Sequence, residues 1–333
     1  AVEQCFSIRA IIMENTTKQM QLVYGDVTLG LHGHGFHYIF SYQTGGMESL
    51  VAYGKEWLYR TPKPTFWRAT TDNDRGSGFP LKSGMWLSAD LFIRCKAIEV
   101  LVDDNVIPLP IAPENNRYHA EEYAQKVTVR FHYETITVPT TELIVTYEVS
   151  AIGTIKVDVQ YKGKEGLPEL PVFGMRFIMP TKAEGYCYKG LSGETYPDRK
   201  EGAVQGIYQI TGLPVTNYIV PQECGMHMDT EWVEVYRNAV LDNRHGEKKT
   251  TALRFAAIDS KFAFSCLPYT AEELENATHQ EELPLPRRTV LCIMGAVRGV
   301  GGIDSWGSDV EQVYHSDAQK DIHYSFEIQI SNK

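Results

Sequence analysis

The chain has 333 residues, 43% of them apolar, and carries a formal net charge of −10. That length suits one large domain or two ordinary ones, and the apolar share is enough to bury a substantial core. The acidic balance, with no basic stripe, argues against a nucleic-acid partner, and no run reaches the roughly eighteen apolar residues of a membrane span.

Residues 1–12, AVEQCFSIRAII, lack the charged-then-apolar order of a secretory signal and differ in character from the residues after Met13. Residues 1–18 are read as a weakly anchored N-terminal extension and residues 19–333 as one compact unit. Cys5, Cys95, Cys187, Cys224, Cys266 and Cys292 form no CxxC pair. Free thiols in a reducing cytosol are the simplest reading, which predicts a cytoplasmic protein. The sequons at Asn15 and Asn276 are then chance matches.

LHGHGFHY (Leu31–Tyr38) holds three histidines. At strand spacing His32 and His34 share a face and His37 points away, so a surface strand or turn is expected and no metal site. SGMWLSADLF (Ser83–Phe92) reads as one short helix. KVTVRFHYETI (Lys126–Ile136), ELIVTYEVS (Glu142–Ser150) and TIKVDVQY (Thr154–Tyr161) alternate polar and apolar residues, and Ala151-Ile152-Gly153 links the last two as a hairpin. TALRFAAID and KFAFSC are expected to pair in the same manner about Ser260. YTAEELENATH carries Thr270 and Glu273 at capping-box spacing, and HYSFEIQIS closes the chain as another alternating run. Many strands and few helices predict an all-β fold, a large antiparallel β-sandwich with few short helices.

Glycine motifs for phosphate and the GxSxG nucleophile elbow are absent. Carboxylates cluster in TTDNDRG, GETYPDR and PQECG. A retaining glycosidase needs two carboxylates roughly 5 Å apart, but Asp, Asn, Pro and Gly at these spacings also make ordinary turns. GGIDSWGSDV (Gly301–Val310) sets Trp306 in a polar, glycine-rich loop. A loop tryptophan commonly covers a core edge. It can equally offer a flat apolar platform to the C–H face of a sugar.

PTFWRATTDNDRGSG (Pro64–Gly78), GLSGETYPDRKEG (Gly190–Gly202), NYIVPQECG (Asn217–Gly225) and GIDSWGSDV (Gly302–Val310) stand in the order and spacing of a known family. Together they resemble the C-terminal domain of the large bacterial β-galactosidases of glycoside hydrolase family 2. Val23–Gly78 is similar to the opening of the separately encoded small subunit of the heterodimeric lactic-acid-bacteria enzymes.

The resemblance implies a supersandwich related to galactose mutarotase. It places both catalytic glutamates, and the magnesium and sodium sites, on a TIM-barrel domain of a large-subunit partner. This chain would then hold no catalytic residue, no cofactor and no activity of its own. Trp306 matches the tryptophan that the family sends into the active-site mouth to stack on the sugar beyond the galactose. Phe173–Gly185 matches a loop that swings near that site. Ser192-Gly193 and Cys224 depart from the family pattern and put the local turns in question. TTDNDRG and YPDR read as framework turns and subunit-contact surface. Two other functions compete: a free-standing mutarotase-like aldose 1-epimerase using Glu223 and His227, and a carbohydrate-binding module using Trp306.

Overall fold

A computed structural model describes residues 19–109, 122–239, 241 and 250–331. The N-terminal extension, with Cys5 and the Asn15 sequon, lies outside the described residues.

Alternation along the strands becomes a two-faced sheet. In Lys126–Glu134 the side chains of Val127, Val129, Phe131 and Tyr133 are buried. On the opposite, wetter face Arg130 and His132 both reach Glu99, at 2.6 and 3.0 Å. The hairpin of Glu142–Ser150 with Ile155–Tyr161 forms as expected, pairing Val149 with Ile155 and Leu143 with Tyr161. Gly153 closes its turn at φ +86°, where a Cβ would lie 2.6 Å from the Phe36 ring.

Three antiparallel sheets account for the named strands. A ten-stranded sheet runs from Gln205–Thr211 at one edge to Asn105–Ile107 at the other. The C-terminal strand Ile322–Ser331 lies inside it, between Ile155–Tyr161 and Thr251–Ala257. A six-stranded sheet covers one half, bringing Phe40 onto Phe131 and Tyr147. A five-stranded sheet covers the other half, bringing Phe177 onto Phe255 and Phe326. One continuous apolar core joins all three. This is the expected large antiparallel sandwich, with two short sheets laid side by side on a long one.

The order of the five-stranded sheet positions the site. Lys63–Thr65 and Thr289–Val297 flank Val172–Met179, each antiparallel to it. They therefore run parallel to each other and leave the sheet at the same end, where Glu169 enters. Arg68 and Arg298 are thereby delivered together.

Four expectations need correction. TALRFAAID and KFAFSC do not pair: Thr251–Ala257 lies in the ten-stranded sheet and Phe262–Leu267 in the five-stranded one. Both are well-formed strands, but the link about Ser260 carries the chain from one layer to the other. Ser83–Phe92 is not one helix. A short helix Phe79–Ser83 is followed by 3-10 turns at Gly84–Trp86 and Ala89–Phe92, broken by Leu87 in extended and Ser88 in left-handed conformation. Phe173–Gly185 is no swinging loop over most of its length, because Val172–Met179 is a central, largely buried strand. His37 does not point away from His32. The turn between Gly33 and Phe36 reverses the chain, the two become cross-strand partners, and their rings lie 3.8 Å apart, centre to centre. His34 sits in that turn.

Phe326 joins the ten-stranded sheet to the five-stranded one, stacking on Tyr324 and meeting Phe177 and Phe255 edge-on or tilted. Phe326→Ala is expected to cost about 3–5 kcal/mol of folding stability, read from the urea midpoint. An unchanged midpoint would contradict this account of the core.

Candidate functional site

The Trp306 loop begins where Thr289–Val297 ends. Trp306 is 90% exposed. The loop around it is nevertheless tied. Asp304 accepts hydrogen bonds from the Trp306 and Ser308 amides, at 2.9 and 3.2 Å, the local turn that an Asp side chain favours. Gly307, at φ +82°, packs so closely on Gly76 that a Cβ would fall 2.7 Å from the Gly76 carbonyl oxygen.

The stem is held by the other motifs. The Asp198 carboxylate accepts from the amides of Val300 and Gly301, at 2.9 and 2.8 Å. Arg199 donates to the Gly301 carbonyl, and Asn73 Nδ2 donates to that of Val300 at 3.2 Å.

Beneath the stem lies a buried ion cluster. Asp74 receives Arg68 through two hydrogen bonds, at 2.6 and 3.2 Å, and Arg298 at 3.3 Å. All three side chains are about 1% exposed. Arg298 continues to Glu169 Oε1 at 2.7 Å and to Asp309, while Arg68 donates to the Gly299 carbonyl at 3.0 Å. Asp74 also belongs to helix α1, Asp72–Ser77. There Thr71 caps the first turn, its side chain accepting from the Asp74 amide while the Asp74 carboxylate accepts from the Thr71 amide. TTDNDRG is thus a capped helical turn with a buried carboxylate, more than the framework turn expected. YPDR grips a neighbouring loop through Asp198 and Arg199.

The third motif buttresses this arrangement. Gln222 accepts from the Asp72 amide at 2.9 Å. Glu223 is buried beside Tyr196, whose hydroxyl reaches it at 3.4 Å. Burial pushes the Glu223 carboxyl up to about 8, against the opposing pull of Arg68. His227 is pushed down to about 4 by burial. Its Nδ1–H donates to the Gly193 carbonyl at 2.8 Å, its Nε2 accepts from Tyr186 at 3.2 Å, and its ring stacks on Phe264. Nδ1 is spent on the Ser192-Gly193 turn and Nε2 on Tyr186, which leaves neither ring nitrogen free to move a substrate proton. Cys224 is buried.

Among the described residues, no group of three or more His, Cys, Asp or Glu side chains could hold a metal ion. Burial, then the neighbouring His37, lowers the pKa of His32. An exposed apolar ridge follows α1: Leu81, Met85, Leu87, Leu91 and Phe92 face solvent, and the Val138 amide meets Met85 Sδ at 3.4 Å.

A family model described as the β-galactosidase small chain matches residues 32–328. The chain belongs to the β-galactosidase small chain family. It is 65% identical over 316 residues to the β-galactosidase small subunit of Latilactobacillus sakei, covering 95% of this chain and 99% of that one. It is 33% identical to a β-galactosidase of Halalkalibacterium halodurans, covering 94% of this chain but only 28% of that longer one. A solved structure of a putative aldose 1-epimerase from Escherichia coli K12 aligns over 94% of this chain and 98% of its own, at 10% identity and a TM-score of 0.41. The four motifs that carried the family resemblance therefore meet around one loop stem.

Arg68, Asp74, Asp198 and Arg298 are the residues that sequence reasoning did not single out. Arg298 stands beside glycine in AVRGVGG, whereas Arg68 in FWRAT, Asp74 in TTDNDRG and Asp198 in YPDRK carry no local mark that sets them apart.

Asp198→Ala is expected to loosen the Trp306 loop by about 1.5 kcal/mol or more, roughly tenfold in its open population, read as faster proteolytic cleavage between residues 300 and 310. Unchanged cleavage would show that the stem is held otherwise. Glu223 holds its proton in the fold above the ordinary carboxyl value of 4.5, so its contribution is lost as pH rises through about 8. His227 has the opposite sign: its contribution is lost as pH falls from 6.5 through about 4. Between 6.5 and about 8 only Glu223 of this pair acts, so Glu223→Gln should flatten the decline of stability there. Parallel curves for the two proteins, measured by urea titration across that range, would refute the assignment.

Proposed function

We propose that this chain completes a β-galactosidase whose chemistry lies on a large, barrel-bearing partner subunit. The observation that carries the reading is full-length likeness to a small subunit, together with matching of only about a quarter of the longer relative. In this reading the partner supplies two glutamates for retaining hydrolysis of lactose and related galactosides by double displacement. It also supplies the magnesium and sodium sites, and both subunits work in the cytoplasm. This chain contributes no catalytic carboxylate: Asp74 is neutralised by Arg68 and Arg298, and Asp198 is occupied by backbone amides.

Trp306 is the contribution of this chain to substrate. Its indole, held out on a stem fixed by Asp198 and Asn73, is placed to stack on the sugar or aglycone beyond the galactose. The ridge of Leu81, Met85, Leu87, Leu91 and Phe92 follows the helix on which the Trp306 loop rests. That continuity supports it as part of the face that meets the partner.

The deciding experiment is hydrolysis of nitrophenyl-β-galactoside by this chain, before and after mixing with a cognate large subunit. No turnover alone and recovery on mixing are expected. Turnover by the pure chain would sink the reading. Trp306→Ala in the assembled enzyme should weaken binding of the glucose side and transfer to acceptors by about tenfold, while galactose-side chemistry changes less. Equal losses on lactose and on the nitrophenyl substrate, with transfer unaffected, would deny Trp306 this role. Trp57, Trp67 and Trp86 are buried, Trp232 is half-buried beneath Arg254 and Trp306 is exposed, so assembly should also shield the Trp306 share of the acrylamide-quenchable fluorescence.

A further inference from the structure

A second cleft lies around Tyr59, on residues that none of the four motifs includes. It has a volume of about 370 Å³, and Arg60, Ile178, Leu285, Arg287 and Arg288 are among its walls. A neighbouring recess of about 750 Å³ shares Tyr59, Arg60 and Ile178 and adds Lys63. These volumes are in the range that holds small ligands.

The charge here runs against that of the whole chain. Arg60, Lys63, Arg287 and Arg288 form no ion pair among the described residues, in a protein of net charge −10. The guanidinium of Arg288 lies 3.5 Å from the centre of the Tyr59 ring and that of Arg60 lies 5.6 Å from it. The Nε of Arg288 is buried and has no hydrogen-bond acceptor. Two acidic side chains also line the walls. Glu273 is turned to the amide of Thr270, which it caps at 2.8 Å, and Glu48 stands exposed on the outer recess. Arg176, at the back of the recess, is already satisfied by Asp90 and Glu272.

The Tyr59 ring face attracts both guanidiniums, but they repel each other across it, and an anion between them relieves that repulsion. Their planar forks match the oxygens of a phosphate group, to which each can donate two parallel hydrogen bonds. A concave cleft suits a small molecule better than the flat core of a protein interface. We propose that the Tyr59 cleft binds the phosphate group of a small phosphorylated ligand, or phosphate itself, with Arg60, Arg287 and Arg288 as its donors. This site is independent of Trp306 and of the subunit reading.

The test is calorimetric titration of the full chain with inorganic phosphate, glucose 6-phosphate and glucose. Saturable binding of a phosphate-bearing ligand, none of glucose, and weakening of at least about tenfold in the Arg60→Ala/Arg287→Ala variant are expected. Both side chains are exposed, so the variant should keep its unfolding temperature, and Arg60→Lys should retain part of the affinity. Tighter binding of glucose 6-phosphate than of phosphate assigns the cleft to a phosphate ester. Equal affinities assign it to the free ion. No saturable binding, or binding that the double variant leaves unchanged, overturns the proposal. So does a double variant whose sole defect is weaker association with the large subunit, because the cleft would then be a protein contact.

Discussion

The site depends on one buried carboxylate shared by two buried arginines. Asp74, Arg68 and Arg298 are nearly free of solvent contact, and each would be costly alone. Glu169 and Asp309 complete the balance on Arg298, whereas Asp74 is the one carboxylate paired with Arg68 among the described residues, so removing Asp74 leaves a buried guanidinium uncompensated, a loss of about 3–5 kcal/mol in comparable buried pairs. The cluster joins parts of the chain far apart in sequence. Arg68 follows one strand, Arg298 follows another, and Asp74 closes the capping box of α1. That meeting is possible because the two strands flank Val172–Met179 and exit at the same end.

From this base the loop is built outward. The Gly299 carbonyl is fixed by Arg68 and the next two amides by Asp198, while the segment beyond Gly301 has its own Asp304 turn, the Gly307–Gly76 contact and the Asp309–Arg298 ion pair. A carboxylate resting on consecutive amides needs a backbone it can approach. At Gly299 a Cβ would lie 2.9 Å from Asp198, so glycine is required there for closeness. The polar, glycine-rich composition around Trp306 thus reflects how the stem is gripped, and the indole, with Ile303 half exposed before it, is the largest apolar group left outside.

Much of the fold was legible because period-2 alternation is a local signal that burial on one face preserves. The Glu142–Ser150 and Ile155–Tyr161 hairpin was readable for that reason, and the Thr270 cap from a different local signal, Glu273 three residues on. What failed was non-local. Nothing within TALRFAAID or KFAFSC tells whether the turn between them folds back in the same sheet or crosses to the next layer. The His32–His37 pairing needed the position of the turn, since parity along a strand does not survive a reversal. Phe173–Gly185 was matched to a loop through the family resemblance, and Val172–Met179, largely buried on both faces, shows no alternation that would have marked it as a strand. In the site, Trp306 stood out by its misfit to its surroundings. Asp74 and Asp198 did not, because a buried aspartate and a turn aspartate have the same letter and similar neighbours.

An indole held out by so much buried structure is an unusual use of folding energy. A tryptophan presents about 150–250 Å² of surface, worth roughly 4–6 kcal/mol at about 25 cal/mol per Å² if it were covered. Within this chain that gain is forgone, because Trp306 stays 90% exposed. The Asp198 and Asn73 bonds and the Gly307–Gly76 contact oppose collapse of the loop. They hold the indole in place before anything arrives to meet it, so the ordering cost of the loop is met by folding and not by binding. That is the arrangement expected of a platform whose counterpart lies on another molecule. The bare ridge running from Leu81 to Phe92 beside it is consistent with the same missing surface.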